Sequence, residues 1–301
     1  MPALSFLEVG PRDGLQNEKK ILSLEDKTKF IVKLTQAGLK RIELGAFVSP
    51  KWVPQMKDSK ELIQKILKLQ KENKIDPQVQ FSALVPNQKG LEQALKSGIK
   101  EISIFLSTTD SFSKKNINAT RESAYKKYQA VCRQAHKENL KIRAYLSVCF
   151  DCPYEGKVPQ KEVIKWVQKI EGLGVYEISI SDTTGKARAI EAEDLFQKLF
   201  HFISKEKLAC HFHNVHGTAL ANVWSAYKMG LRSFDGSLGG LGGCPYSKVP
   251  SGNVPTESLI YLLKGAEDPT IKKLLPIARW LEERLEKKLP SPLIESPYYT
   301  V

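Results

Sequence analysis

Ala37-Gly38-Leu39-Lys40-Arg41-Ile42-Glu43 carries the plan of the whole chain. A helical segment ends, glycine takes the left-handed position just past it, one apolar residue follows, and a β-strand begins. The plan returns at Ser97-Gly98-Ile99-Lys100-Glu101-Ile102-Ser103, at Leu173-Gly174-Val175-Tyr176-Glu177-Ile178-Ser179 and at Met229-Gly230-Leu231-Arg232-Ser233-Phe234-Asp235. Any α/β protein has such joints. Four of them at regular spacing point to repeated half-units, and to closure into a barrel over an open sheet.

Working outward from these joints, strand-like segments fall near Ser5–Val9, Arg41–Ala46, Gln78–Val85, Glu101–Ser107, Lys141–Val148, Tyr176–Asp182, Leu208–Asn214 and Ser233–Leu238. Several read as continuous apolar or β-branched runs, the pattern of parallel strands covered on both faces. A helical pattern fills each interval. Strands alternating with helices predict βαβ units, hence the α/β class and a (β/α)8 TIM barrel. The 301 residues suffice for such a barrel, which takes roughly 250. Ser23-Leu24-Glu25-Asp26 opens the first helix with a hydroxyl cap and an acidic first turn. Phe30, Ile31, Leu34 and Ala37 form its apolar face. Thr256–Gly265 reads as the last barrel helix and Thr270–Lys288 as an added amphipathic helix, with an irregular tail after Pro290. The expectation is a single catalytic domain over 1–301, with a C-terminal extension from about residue 266.

Composition narrows the function. Hydrophobic residues make up 42% of the chain, enough for a sizeable core. No run approaches the roughly 18 apolar residues of a membrane span. Met1-Pro2-Ala3-Leu4-Ser5 lacks a basic segment followed by an apolar one, so a cytoplasmic protein is expected. Five cysteines in no disulfide-framework spacing fit reduced thiols. Cys149-Phe150-Asp151-Cys152 has no second ligand pair for structural zinc, and Pro153 and Gly156 place it in a loop. The net charge of +13 is spread over helical segments, as solvated faces would be. Nucleic acid is not expected, and a phosphate-bearing small molecule is the best partner for such a balance.

Functional side chains of a barrel lie at the C-terminal ends of its strands. The first strand runs into Gly10-Pro11-Arg12-Asp13-Gly14, an ion pair bracketed by residues that fix a loop, which suits an anion or a metal. The seventh runs into Cys210-His211-Phe212-His213-Asn214. Residues i and i+2 share a strand face, so both imidazoles point into the mouth. A lone histidine is more often a core or surface residue; two at strand spacing, with Phe212 opposite, favour a metal. With an Asp carboxylate and an amide oxygen the donors are mixed N/O, a set that permits Mg, Mn, Co or Zn. His216 is not counted among them. After the eighth strand comes Gly239-Gly240-Leu241-Gly242-Gly243-Cys244-Pro245-Tyr246, then Ser251-Gly252-Asn253. No G-K-[ST] follows, so this is not a P-loop. It is a phosphate cradle or a mobile flap carrying Cys244, a candidate proton donor.

The segments GPRDGLQNEK (10–19), FVSPKWVPQM (47–56), VPNQKG (85–90), KKNIN (114–118), CPYEGK (152–157), GTALAN (217–222) and GLGGCPY (240–246) occur in order over nearly the whole chain. In this series the chain resembles the 3-hydroxy-3-methylglutaryl-coenzyme A lyase family of metal-dependent (β/α)8-barrel lyases. The resemblance implies a divalent cation, Mg or Mn before Co or Zn, held by Asp13, His211, His213 and Asn253. It implies proton transfer by Cys244 and stabilisation of the developing enolate by Arg12. Glu43 and Asp182, at the ends of strands two and six, match acidic residues near the site, and Glu43 is counted as catalytic with Asp13 and His211. Arg12, Gln16 and Lys19 are the candidate substrate-binding residues. Three departures stand out: Asn214-Val215-His216 after H-x-H, Ser181-Asp182-Thr183 after strand six, and Gly45-Ala46-Phe47 after strand two. They touch neither the metal set nor the cysteine loop.

The implied reaction is cleavage of 3-hydroxy-3-methylglutaryl-CoA into acetoacetate and acetyl-CoA, with Asp13 or His211 as base. The alternatives are a lyase for another acyl chain, a condensing enzyme of the isopropylmalate or citramalate synthase type, and a silent basic binding barrel. For the phosphates of an acyl-CoA substrate the expected lysines are Lys19, then Lys51 and Lys115 in loops after strands two and four. No membrane partner is expected, and a homodimer is left open.

Overall fold

The computed structural model describes residues 3–243 and 252–299. All eight expected strands form: β1 (Ser5–Glu8), β2 (Arg41–Ala46), β3 (Gln80–Leu84), β4 (Glu101–Ser107), β5 (Lys141–Ser147), β6 (Glu177–Asp182), β7 (Leu208–Phe212) and β8 (Ser233–Gly236). They pair in parallel in chain order, and β8 closes on β1 with Phe234 beside Phe6. The helices between and after them are α1 (Leu24–Ala37), α2 (Ser59–Lys71), α3 (Gln88–Ser97), α4 (Asp110–Ile117), α5 (Arg121–Lys137), α6 (Gln160–Glu171), α7 (Ala189–Leu199), α8 (Ala219–Lys228), α9 (Thr256–Lys264) and α10 (Pro269–Leu285).

The repeated joints are real. Gly38, Gly98, Gly174 and Gly230 have φ of 107°, 86°, 77° and 104°, a region where a side chain would be strained. Ser23 accepts the Asp26 amide and caps α1. Phe30, Ile31 and Leu34 of that helix are fully buried, each worth about 1.5–3 kcal/mol by burial of apolar surface.

The strand interiors depart from the expectation of continuous apolar runs. Polar and apolar residues alternate. Ile42 and Leu44, Ile102 and Ile104, Ile142 and Ala144, Ile178 and Ile180 join the apolar core. Their neighbours Glu43, Ser103, Arg143, Tyr145 and Ser179 point inward, because they bond across the barrel: Tyr145 donates to Glu43 (3.1 Å) and Arg143 to Asp235 (2.7 Å). The hydrophobic core is the shell between strands and helices, and the barrel interior is a polar, ion-paired column. That arrangement can position charge at the mouth, which an aliphatic interior cannot.

Two elements were not foreseen. A two-stranded hairpin pairs Asp151–Cys152 with Gly156–Lys157, so Cys152 lies on a strand and not in open loop. Helix α4 fills the connection after β4, so Lys115 sits on a helix. The C-terminal segment reaches back to the functional end: Leu289 and Ile294 pack beneath Gly239, where an added Cβ would meet Leu289 at 2.5 Å.

Candidate active site

Val9 follows β1, and its carbonyl accepts the amides of Arg12 (3.1 Å), Asp13 (2.7 Å) and Gly14 (3.2 Å), winding Gly10–Gly14 into one wide turn. The turn is pressed against the segment after β8. A Cβ on Gly14 would come within 2.7 Å of Ser237 Oγ, so only glycine lets the two segments meet. This contact places Arg12 and Asp13 beside β7 and β8.

Arg12 is almost completely buried. It donates from Nε to Glu43 Oε2 (2.5 Å) and from Nη1 to Asp13 Oδ1 (2.5 Å), and lies over the Tyr145 ring. Glu43 also accepts from Ser103 and Tyr145. Burial works against the Arg12 charge, but Glu43 and Asp13 outweigh it and the guanidinium stays charged. Burial alone would raise the Asp13 pKa. Arg12, His211 and His213 reverse that and hold the carboxyl well below its usual range.

His211 and His213 project from the end of β7 to the same side, as period two requires. Their Nε2 atoms face each other at 3.2 Å, and His211 Nε2 is 3.9 Å from Asp13 Oδ2. Burial and then His211 push the His213 pKa down to about 4, so its ring is neutral near pH 7 and offers a lone pair. Asp13, His211 and His213 present ligand atoms all within 4.8 Å of one another. An ionised carboxylate and two converging imidazole nitrogens are the donors a divalent cation takes.

Asn253 arrives on a strap. Gly252–Val254 runs antiparallel to the end of β7: Asn214 N donates to Gly252 O (2.6 Å) and Val254 N to Phe212 O (3.1 Å). Asn253 Nδ2 donates to Asp13 Oδ2 (2.8 Å) and to Leu241 O (3.2 Å). Here it supports the carboxylate with its amide nitrogen.

A pocket of about 620 Å³ opens from this cluster. Gln16, Trp52, Phe105, Lys115 and Tyr145 line it, and it is reached by Gly243. Lys19 and Lys51 are exposed and do not line it, so of the three expected lysines only Lys115 faces the cavity. Cys244 lies outside the described residues. Asp182 is turned away from the site: it accepts the amides of Lys186 (3.2 Å) and Ala187 (2.9 Å) and organises the turn after β6. His216 pairs with the Gly185 carbonyl (2.9 Å) and is not part of the cluster. Tyr145, Ser103 and Asp235 were not anticipated. The signal for them was the alternation along β4, β5 and β8, which places every second residue inside the barrel.

The chain is similar to known proteins over nearly its whole length. The HMGL-like family model matches residues 3–280. A hydroxymethylglutaryl-CoA lyase of Bacillus subtilis (strain 168) is 42% identical over 291 residues, which is 96% of this chain and 95% of that protein. A 3-hydroxy-3-isohexenylglutaryl-CoA/hydroxymethylglutaryl-CoA lyase of Pseudomonas aeruginosa is 41% identical over 262 residues, which is 87% of this chain and 85% of that protein. The crystal structure of the Bacillus subtilis HMG-CoA lyase superposes with a TM-score of 0.91 at 40% identity, covering 98% of this chain and 99% of that one.

Proposed function

The chain belongs to the HMGL-like family, and from that membership we propose that it cleaves 3-hydroxy-3-methylglutaryl-CoA to acetoacetate and acetyl-CoA. One observation carries the reading: Asp13, His211 and His213 converge beside Arg12 at the mouth of a pocket large enough for a thioester arm.

Asp13, His211 and His213, with Asn253 once its amide is turned, would hold a divalent cation, Mg or Mn before Co or Zn, which would supply Lewis-acid polarisation of the substrate's oxygens. The protein's own groups do the rest. The tertiary hydroxyl gives its proton to a base beside that space, for which Asp13 and His211 are the candidates. The carbon–carbon bond pair then moves into the thioester as an enolate, and the former carbinol carbon becomes the ketone of acetoacetate. Arg12, held rigid by Glu43 and Asp13, meets the enolate oxygen as a preorganised positive group. Glu43 acts by orienting Arg12. Cys244, one residue beyond the pocket-lining Gly243, returns a proton to the enolate carbon and releases acetyl-CoA. Gln16 contacts the acyl part, and Lys115 meets a phosphate of the coenzyme A arm.

Among the described residues no helix is long and apolar enough to cross a membrane. Cys132, Cys149, Cys152 and Cys210 are free thiols, which supports a reducing compartment such as the cytoplasm. The deciding assay is the manganese-loaded protein with 3-hydroxy-3-methylglutaryl-CoA. Formation of acetoacetate and acetyl-CoA, abolished by a chelator, is the expected result. Consumption of acetyl-CoA with a 2-oxo acid in place of that cleavage would make the protein a condensing enzyme.

A further inference from the structure

His211 is gripped from behind. Its Nδ1 lies 3.3 Å from Asp235 Oδ2, on the adjacent strand and in direct register. Asp235 is buried inside the barrel, and its other contacts are donors. Ser179 Oγ donates to the same Oδ2 (2.9 Å), and Arg143 Nη2 donates to Oδ1 (2.7 Å). Arg143 is itself fixed from Nε by Glu177 (2.5 Å) and is fully buried. The carboxylate therefore cannot rotate without breaking a buried ion pair.

This geometry dictates where the imidazole proton sits. A carboxylate paired with a guanidinium is acceptor-only, so the ring nitrogen facing it has to present N–H. A neutral imidazole with its proton on Nδ1 carries its lone pair on Nε2. Nε2 is the atom that faces His213 Nε2 and Asp13 Oδ2. We infer that Asp235, clamped by Arg143 and Ser179, is a positioning residue that sets the tautomer of His211 and aims its Nε2 lone pair at the cation site. The inference rests on the reading of Asp13, His211 and His213 as metal ligands. It extends the site one layer down the barrel, through Asp235, Ser179, Arg143 and Glu177, none of which lines the pocket.

Asp235→Asn tests it with almost no change in shape. An amide has one acceptor oxygen. Arg143 claims that oxygen, which leaves the amide NH2 facing His211 Nδ1. The ring then carries its proton on Nε2, and the lone pair leaves the cation site. The same logic makes an Asp-to-Asn exchange behind a catalytic histidine yield the wrong tautomer. Manganese titration by calorimetry should show a dissociation constant raised about 10–100-fold, the usual effect of losing a ligand's supporting partner. In nitrogen-15 spectra of histidine-labelled, metal-free protein, His211 should change from the Nδ1–H to the Nε2–H pattern. A residue that only pairs Arg143 for stability would alter the melting temperature and leave both readouts in place. Wild-type manganese affinity in the folded variant overturns the inference. If the variant does not fold, the wild-type spectrum decides: Nδ1–H at His211 supports the inference and Nε2–H overturns it. A wild-type protein that binds no manganese removes the metal-site reading itself, and this inference with it.

Discussion

Arg12 commits two of its five N–H donors inside the protein, one to Glu43 and one to Asp13. Those bonds fix the plane of the guanidinium before substrate arrives, so its charge needs no reorganisation as the enolate forms. Arg12→Gln should lower kcat about 10²–10³-fold, the range for losing one preorganised donor to an oxyanion. Steady-state kinetics check this; a raised KM with unchanged kcat would make Arg12 a substrate-binding group only. Cys244 serves at a different step. Cys244→Ala should lower turnover about 10²–10⁴-fold, the range for general acid–base help, with manganese content unchanged. Metal analysis of the purified variant separates the cases, because parallel loss of manganese would make Cys244 a ligand.

At the scale of elements, the site depends on the joint where the end of β1, the segment after β8 and the start of α9 meet. Glu8 sits at its centre, fully buried. It accepts the amides of Gly10 (2.8 Å) and Leu238 (3.0 Å) and the hydroxyl of Thr256 (2.6 Å). Burial outweighs those bonds and raises its pKa from 4.5 to about 7. An acid whose folded pKa is raised binds its proton longer in the folded state than in the unfolded chain. The stability it contributes is complete below about pH 4.5 and is lost as pH rises through about 7. The full swing is on the order of 3 kcal/mol. Urea denaturation of the metal-free protein should show this decline between pH 5 and pH 8. Glu8→Gln keeps the three contacts, since the Thr256 hydroxyl can turn and accept, and should remove Glu8's share of the decline. An unchanged slope in the variant would assign the pH dependence elsewhere, to Asp182, Glu101 or Glu257, which burial also raises.

For the whole molecule, the net charge of +13 is distributed over the helical shell, while the barrel column pairs its charges internally. The surface field should matter to a polyanionic thioester arm and the column to chemistry. KM should therefore rise with ionic strength while kcat changes little, because exposed contacts are screened and the buried pairs are not. Lys115→Gln should raise KM about 1.5–5-fold by loss of an exposed charge contact worth about 0.2–1 kcal/mol. Lys19→Gln and Lys51→Gln, off the pocket wall, should leave it unaltered. Kinetics on the three single variants at low salt test the assignment, and a KM effect at Lys19 equal to that at Lys115 would refute it.

Local patterns determined a good deal of this protein. The helix–glycine–strand joints set the order of elements, because a positive φ at Gly38, Gly98, Gly174 and Gly230 is a property of one residue and its neighbours. His211 and His213 share a face because strand period is two, and no distant contact is needed to say so. The motif series from Gly10 to Tyr246 identified the family. The rest lives in pairs far apart along the chain. Asn253 meets Asp13 across 240 positions, Tyr145 meets Glu43 across 102, and Arg143 meets Asp235 across 92. Asp182 and Glu43 look alike in sequence, acids on barrel strands, yet one caps its own turn and the other anchors Arg12. Closure of the barrel decides which side chains cross its axis at the same height, and that depends on the register of all eight strands at once. A local pattern tells a residue which face it occupies; only the closed sheet tells it what stands opposite.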